Sequence, residues 1–360
     1  MKPATQRLAY LDWVRGLAAI VMLQGHVFDS FIRKDLRDGG PFTVSQFVGG
    51  MPPAVFLFLL GVTFAFLMDS QERKQIQPLA RWGSAIKRAG FLFAAAFLFR
   101  LQLWAFAFGK SPWTDLFKVD ILNCMGLAIL ILSIMAVFKT TERIRLCAIL
   151  GFAIAAAGPL VSGLDSPAVP ALLHGYFIPD HASFGFFPWA AFVAFGMSAG
   201  SVLRIVKSED VSVAMQWFAW GGSAVAFGAY SLSFLPASIY PNSDFWLNHP
   251  ALILIKLGVV LMLVSFAWLW NLQMPEGSFS WVRQMGLASL LVYWVHVELI
   301  YGSAFWILKD SLTVGQTAIA AVLTIFLMLG LSLLKTNWAT VRTYMSAQTA
   351  DTNRSEASGD

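Results

Sequence analysis

Apolar residues run along this chain in ten blocks, separated by shorter polar stretches. The blocks fall near 14–33, 47–68, 89–108, 121–138, 147–164, 184–203, 213–235, 251–270, 285–306 and 314–334. At 1.5 Å per residue, about 20 apolar residues match a hydrocarbon core of roughly 30 Å. In lipid a segment must satisfy its own backbone N–H and C=O groups, so runs of this length predict helices. The pattern predicts an all-α, polytopic membrane protein with about ten transmembrane helices. Residues 1–345 form the predicted membrane domain. The polar stretch 346–360, ending Ser355-Glu356-Ala357-Ser358-Gly359-Asp360, reads as a disordered tail.

Composition excludes an ordinary soluble domain. Hydrophobic residues make up 58% of the chain and charged residues 12%, against about one quarter charged in soluble domains. The 31 Phe and 14 Trp suit lipid-facing and interfacial positions. The basic residues are distributed unevenly. Lys2, Arg7, Arg73, Lys74, Arg81, Lys87, Arg88, Lys139, Arg143, Arg145, Arg204, Lys207, Arg283, Lys335, Arg342 and Arg354 fall on one side of the predicted topology. The other side holds Arg33, Lys34, Arg37, Lys110, Lys118 and Lys309, and its loops 165–183 and 236–250 contain neither Lys nor Arg. The positive-inside rule then places both termini in the cytoplasm of a multi-pass protein of the cell (cytoplasmic or inner) membrane. The net charge of +5 reflects this bias, so the bilayer is the expected partner and nucleic acid is not. Block 14–33 lacks a small-x-small cleavage site and is interrupted by His26 and Asp29, unlike a signal peptide. Cys124 and Cys147 fall at opposite membrane faces, which excludes a bridge between them.

Ionisable residues inside the apolar blocks are the candidates for chemistry, because they are costly at that depth. The first block holds Asp12, Arg15, His26 and Asp29. Eleven helical steps bring His26 to within roughly 20° of Arg15 and about 16 Å further along the axis. A cation at one membrane face thus shares a helical stripe with a titratable imidazole near mid-membrane. Asp12 and Arg15 are i,i+3 neighbours, as are His26 and Asp29, so Asp29 is placed to orient the imidazole, although its nearness to the outer surface favours simple solvation. The ninth block adds His296 and Tyr293 at a matching depth. Arg100 and Glu298 lie mid-block, and we expect them to pair, with Arg100 alternatively meeting an anionic ligand group. Lys256 reads as a snorkelling cation. His174, Asp180 and His181 lie in an outer loop, where solvation outweighs a weak metal signal, and no metal is expected. Pro53…Gly61 and Pro188…Gly196 echo each other, most simply as helix starts followed by close-packing glycines. No Gly-rich phosphate loop, HExxH helix or GxSxG elbow is present.

Four ordered blocks resemble a known family. They are Arg7…Asp12-x-x-Arg15-Gly16…His26, Pro53-Ala-Val-Phe-Leu-Phe-Leu-Leu-Gly61-Val62, Phe187-Pro188-Trp189 with Gly196 and Gly200, and Gly286…Ser289-Leu-Leu-Val-Tyr293-x-x-His296. Together they are similar to the catalytic domain of heparan-α-glucosaminide N-acetyltransferase and its bacterial relatives, and more distantly to the acyltransferase-type-3 membrane family. The chain departs from the pattern at Val297-Glu298, where relatives often carry a polar residue and a proline. The resemblance implies transfer of an acyl group, usually acetyl, from cytoplasmic acyl-CoA (acetyl-CoA) to a hydroxyl or amine of a sugar or glycan. His26 suits the role of base or acyl carrier, with Asp29 beside it. Arg15, with Asp12, and Arg100 suit the CoA phosphates, and His296 or Tyr293 a carbonyl oxyanion. Two other readings stay open: a secondary transporter using His26 and Arg100, and a haem protein using His26 and His296.

Overall fold

The structure, a computed structural model, describes residues 8–338 apart from 108, 110, 165–168, 235–239, 241–242 and 276–277. Arg7 and the polar tail 346–360 therefore lie outside the described residues. Thirteen α-helices follow in order among those residues: α1 (Ala9–Phe31), α2 (Gly40–Gly49), α3 (Pro52–Arg73), α4 (Pro78–Phe106), α5 (Ile121–Leu132), α6 (Thr140–Ser162), α7 (Ala171–Phe177), α8 (Ala190–Ile205), α9 (Val211–Leu232), α10 (Pro250–Gln273), α11 (Trp281–Leu287), α12 (Ser289–Tyr301) and α13 (Val314–Thr336). No strand occurs among the described residues, where an isolated bridge joins Ile32 to Leu312.

Each of the ten predicted blocks is helical over most of its length. Six stretches are long and apolar enough to cross a membrane: Gly40–Arg73, Pro78–Phe106, Trp113–Val137, Thr140–Ser162, Pro250–Gln273 and Val314–Thr336. The protein is thus an all-α, multi-pass membrane protein. α1 is 23 residues long, but Arg15, Gln24, His26 and Asp29 dilute its apolar character. Some details differ from the sequence pattern. The ninth block is broken at Ala288 into α11 and α12, and the loop after α6 contains the short helix α7.

Local signals explain many of the helix starts. Pro residues open α3, α4 and α10, where the missing N–H has no intrahelical partner to lose. Asp120 caps α5 by accepting from the N–H groups of Leu122 (2.9 Å) and Asn123 (3.2 Å). Thr313 and Gln316 form a capping box at α13.

The chain divides into two compact units, 1–49 with 275–360 and 50–274. In the first, α1 packs against α2, α11, α12 and α13. Ser30 Oγ donates to the Ile300 carbonyl (3.0 Å), and Gln284 of α11 exchanges bonds with Ser332 of α13. Val27, Phe28, Phe31, Ile32, Ile300 and Ala321 form its apolar cluster.

In the second unit, α3 and α8 cross through Gly61 and Gly196, so the sequence echo is the packing contact itself. A Cβ on Gly61 would lie 2.1 Å from the Val193 oxygen, and one on Gly196 would lie 2.0 Å from the Phe58 oxygen. One end of this unit is tied by ion pairs. Asp69 Oδ2 meets Arg204 Nε (2.7 Å) and Arg73 Nε (2.8 Å), while Glu72 meets the fully buried Arg143 (3.1 Å). The helix ends of α3, α6 and α8 are thereby held together by the basic residues that the sequence placed on one membrane side.

Candidate active site: a histidine pair on α1 and α12

His26 and His296, 270 residues apart in sequence, are in direct contact. Nδ1 of His26 lies 2.9 Å from Nε2 of His296. The rings are stacked, 5.1 Å between centroids and 18° between planes. His296 is fully buried, while His26 is partly exposed. On its other side, Nδ1 of His296 lies 2.7 Å from the Val292 carbonyl oxygen, one turn back in α12. The expectation that both histidines share a depth becomes a hydrogen bond in the structure.

Tyrosines border the pair. Tyr293 presents its ring to His296 at 5.8 Å, edge to face. Tyr301 does the same to His26 at 5.3 Å, and its hydroxyl donates to Asp29 Oδ2 at 3.0 Å. Asp29 thus meets Tyr301, and the group against His26 Nδ1 is His296. Turning from His26 to Asp29 along α1 rotates the side chain about 300°, close enough for contact, but the neighbouring α12 supplies a better donor. Arg37 donates to the Asp29 carbonyl (2.6 Å) and to Asp310 Oδ1 (2.8 Å), closing this end of the unit.

The other end of α1 carries the second half of the candidate site. Arg15 NH1 and Asp12 Oδ1 are paired at 2.8 Å, with Asp12 buried. The i,i+3 spacing predicted this pair, and the continuous helix Ala9–Phe31 holds Arg15 and His26 on one rod. Gly16 and Gly286 pack backbone to backbone beside Arg15, so α11 approaches α1 there more closely than any side chain would permit.

Arg100 belongs elsewhere. Its Nε lies 3.1 Å from Asp120 Oδ2 within the second unit, whereas Glu298 belongs to the first. Asp120 combines this role with capping α5. Lys256 sits over the Trp189 ring at 5.1 Å, a cation–π contact rather than simple snorkelling. His181 pairs with Asp244 at 3.0 Å across two loops. Burial raises the Asp244 carboxyl, but the Trp246 N–H and His181 more than offset this and hold it below its ordinary range. Both cysteines are free and buried. No group of three metal-ligating side chains occurs among the described residues.

Sequence reasoning missed Tyr301, Asp120 as partner of Arg100, and the Gly16–Gly286 contact. Asp120-x-x-Asn123 ahead of an apolar run is a legible cap signal. Tyr301 carried no signal beyond its place at the end of an apolar block.

The histidine contact also bears on haem. Axial ligands on opposite faces of an iron would hold their nitrogens about 4 Å apart, given metal–imidazole bonds near 2.0 Å. The two nitrogens lie at hydrogen-bonding distance, 2.9 Å, nearer than that spacing.

These features define an all-α membrane protein with a pair of contacting histidines on two of its helices. A family model described as heparan-alpha-glucosaminide N-acetyltransferase, catalytic, matches residues 7–237. That is well over half of the chain, and the chain belongs to this family, a membrane N-acetyltransferase-like enzyme. No curated protein matches it. The matched stretch contains the whole of α1 with Asp12, Arg15, His26 and Asp29, and it ends before α12.

Proposed function

We propose that this protein moves an acetyl group from cytoplasmic acetyl-CoA, or another acyl-CoA, to a hydroxyl or amine of a sugar or glycan at or across the membrane. On this reading the chain crosses the membrane ten times within residues 1–345, both termini are cytoplasmic, and 346–360 is a cytoplasmic tail. The observation that carries it is that His26, on a helix within the family match, is in contact with His296 of α12. Acyl transfer from a thioester needs a group to take the acceptor's proton, and an imidazole is suited to this near neutral pH.

His26 is the acyl-transfer residue. Arg15, pinned by Asp12 at the opposite end of α1, binds a CoA phosphate through its planar guanidinium. Tyr293 is the donor to the developing oxyanion. His296 is unsuited to that task, because both of its ring nitrogens are already engaged. Arg100 pairs with Asp120 in the second unit. Asp29 and Tyr301 line the acceptor side beside His26.

The test is radiolabelled acetyl transfer by the purified protein to a panel of glycan acceptors, with His26→Ala as the comparison. Loss of a general base costs about 10²–10⁴ in rate, so His26→Ala is expected to lose nearly all turnover while still binding CoA. A well-folded His26→Ala protein with near-normal turnover would sink the assignment.

A further inference from the structure

We propose that His296 is a positioning residue that holds His26 with its proton on Nδ1, leaving the Nε2 lone pair as the reacting atom. This rests on the reading of His26 as the acyl-transfer residue. The Val292 carbonyl oxygen can only accept, so its 2.7 Å contact requires the hydrogen to sit on His296 Nδ1. In a neutral imidazole the other nitrogen is then an acceptor. His296 Nε2 therefore takes a hydrogen from His26 Nδ1 across the 2.9 Å contact. The groups that meet the two ring nitrogens of His296, the Val292 carbonyl and the His26 ring, carry no carboxylate. An imidazolium at His296 would reverse the bond and leave His26 with its proton on Nε2 and no lone pair there.

A chain of two hydrogen bonds, from a backbone carbonyl through one buried ring to the next, thus selects one tautomer of His26. Free histidine in water favours the opposite one. The arrangement does what the carboxylate does in a Ser-His-Asp triad, with a neutral acceptor in its place. In the reaction the acceptor's O–H or N–H proton moves to His26 Nε2 as its lone pair bonds to the thioester carbonyl carbon. The C–S bond breaks, and the CoA thiolate leaves with the proton returned from Nε2. The His296 Nε2 acceptor stabilises the transient His26 imidazolium through the same Nδ1–H.

Nitrogen-15 NMR of the full-length, histidine-labelled protein reads the tautomer directly, with His26 assigned from the signals lost in His26→Asn. In the wild type His26 is expected to show a protonated Nδ1 and a bare Nε2. His296→Phe keeps a ring but removes the acceptor. It is expected to move His26 to the Nε2–H form and to lower kcat about 10²-fold or more, as a wrong tautomer does in the triad, with KM for acyl-CoA within about threefold. His296→Gln, whose amide oxygen reaches near the lost Nε2, should restore the tautomer and part of kcat. A wild-type His26 protonated on Nε2 would overturn the proposal, and the wild-type spectrum decides this even where a variant fails to fold. A shifted tautomer in His296→Phe with unchanged kcat would overturn instead the reacting role of His26, which separates the two failures.

Discussion

Gly16 of α1 and Gly286 of α11 occupy each other's side-chain space. A Cβ on Gly16 would lie 1.7 Å from the Val282 oxygen, and one on Gly286 would lie 1.9 Å from the Asp12 oxygen. Neither neighbour can rotate away, because both are backbone. The contact fixes the stretch of α1 that carries Asp12 and Arg15, so the glycine after Arg15 in the first sequence block has a steric reason.

Gly16→Ala and Gly286→Ala are expected to destabilise the protein by about 1–3 kcal/mol or more, the usual range for overpacking. Gly330 in α13 has open space around it and is the control. Gly330→Ala should be neutral or stabilising by up to about 1 kcal/mol. Thermal unfolding in detergent separates the cases, and equal melting temperatures for all three variants would contradict the packing account.

Removing the charge of Arg100 leaves Asp120 buried without its counter-ion. Arg100→Leu should cost about 3–5 kcal/mol, as is typical for a broken buried pair. Asn can still accept from the Leu122 and Asn123 N–H groups, so Arg100→Leu with Asp120→Asn should recover part of the loss. Additive losses in the double variant, measured by folded yield and melting temperature, would count against the pair.

Arg15→Ala is expected to weaken CoA binding while leaving the fold intact, and Arg15→Lys should restore binding only in part. Lysine presents a point charge and cannot reproduce a bidentate phosphate contact. Titration calorimetry with CoA reads the effect. Unaltered affinity in Arg15→Ala would remove Arg15 from the donor site.

Topology is open to cysteine labelling, since the native Cys124 and Cys147 are buried and add little background. With both termini cytoplasmic, a membrane-impermeant thiol reagent applied from outside should modify Tyr240→Cys and miss Gln75→Cys. Gln75 lies in the turn between α3 and α4, beside the basic ends of both helices. The reverse pattern would invert the proposed orientation and put Arg15 on the wrong face for cytoplasmic CoA.

Much of the candidate site is legible in the amino-acid sequence. Asp12 and Arg15 pair as their i,i+3 spacing requires, and Arg15 and His26 share one unbroken helix. The same spacing rule fails at His26 and Asp29. There α12 offers an imidazole to one and a tyrosine hydroxyl to the other, and both outcompete the contact within the helix. Arg100 meets Asp120, a partner that its own helix does not supply. A buried cation demands a carboxylate, but sequence depth alone admits several, and Asp120 is the one packed against it.

The sequence alone determined the membrane class, the placement of the helices and the residues able to carry chemistry. Hydropathy and helix caps act over a few turns, and ionisable groups inside apolar runs stand out wherever they occur. Only the tertiary structure decided that His26 meets His296 rather than Asp29, that Gly16 meets Gly286, and that the ninth block breaks at Ala288. Those choices depend on which helix faces pack together across as many as 270 residues, and on hydrogen-bond directions set by a carbonyl such as that of Val292. No local pattern encodes them.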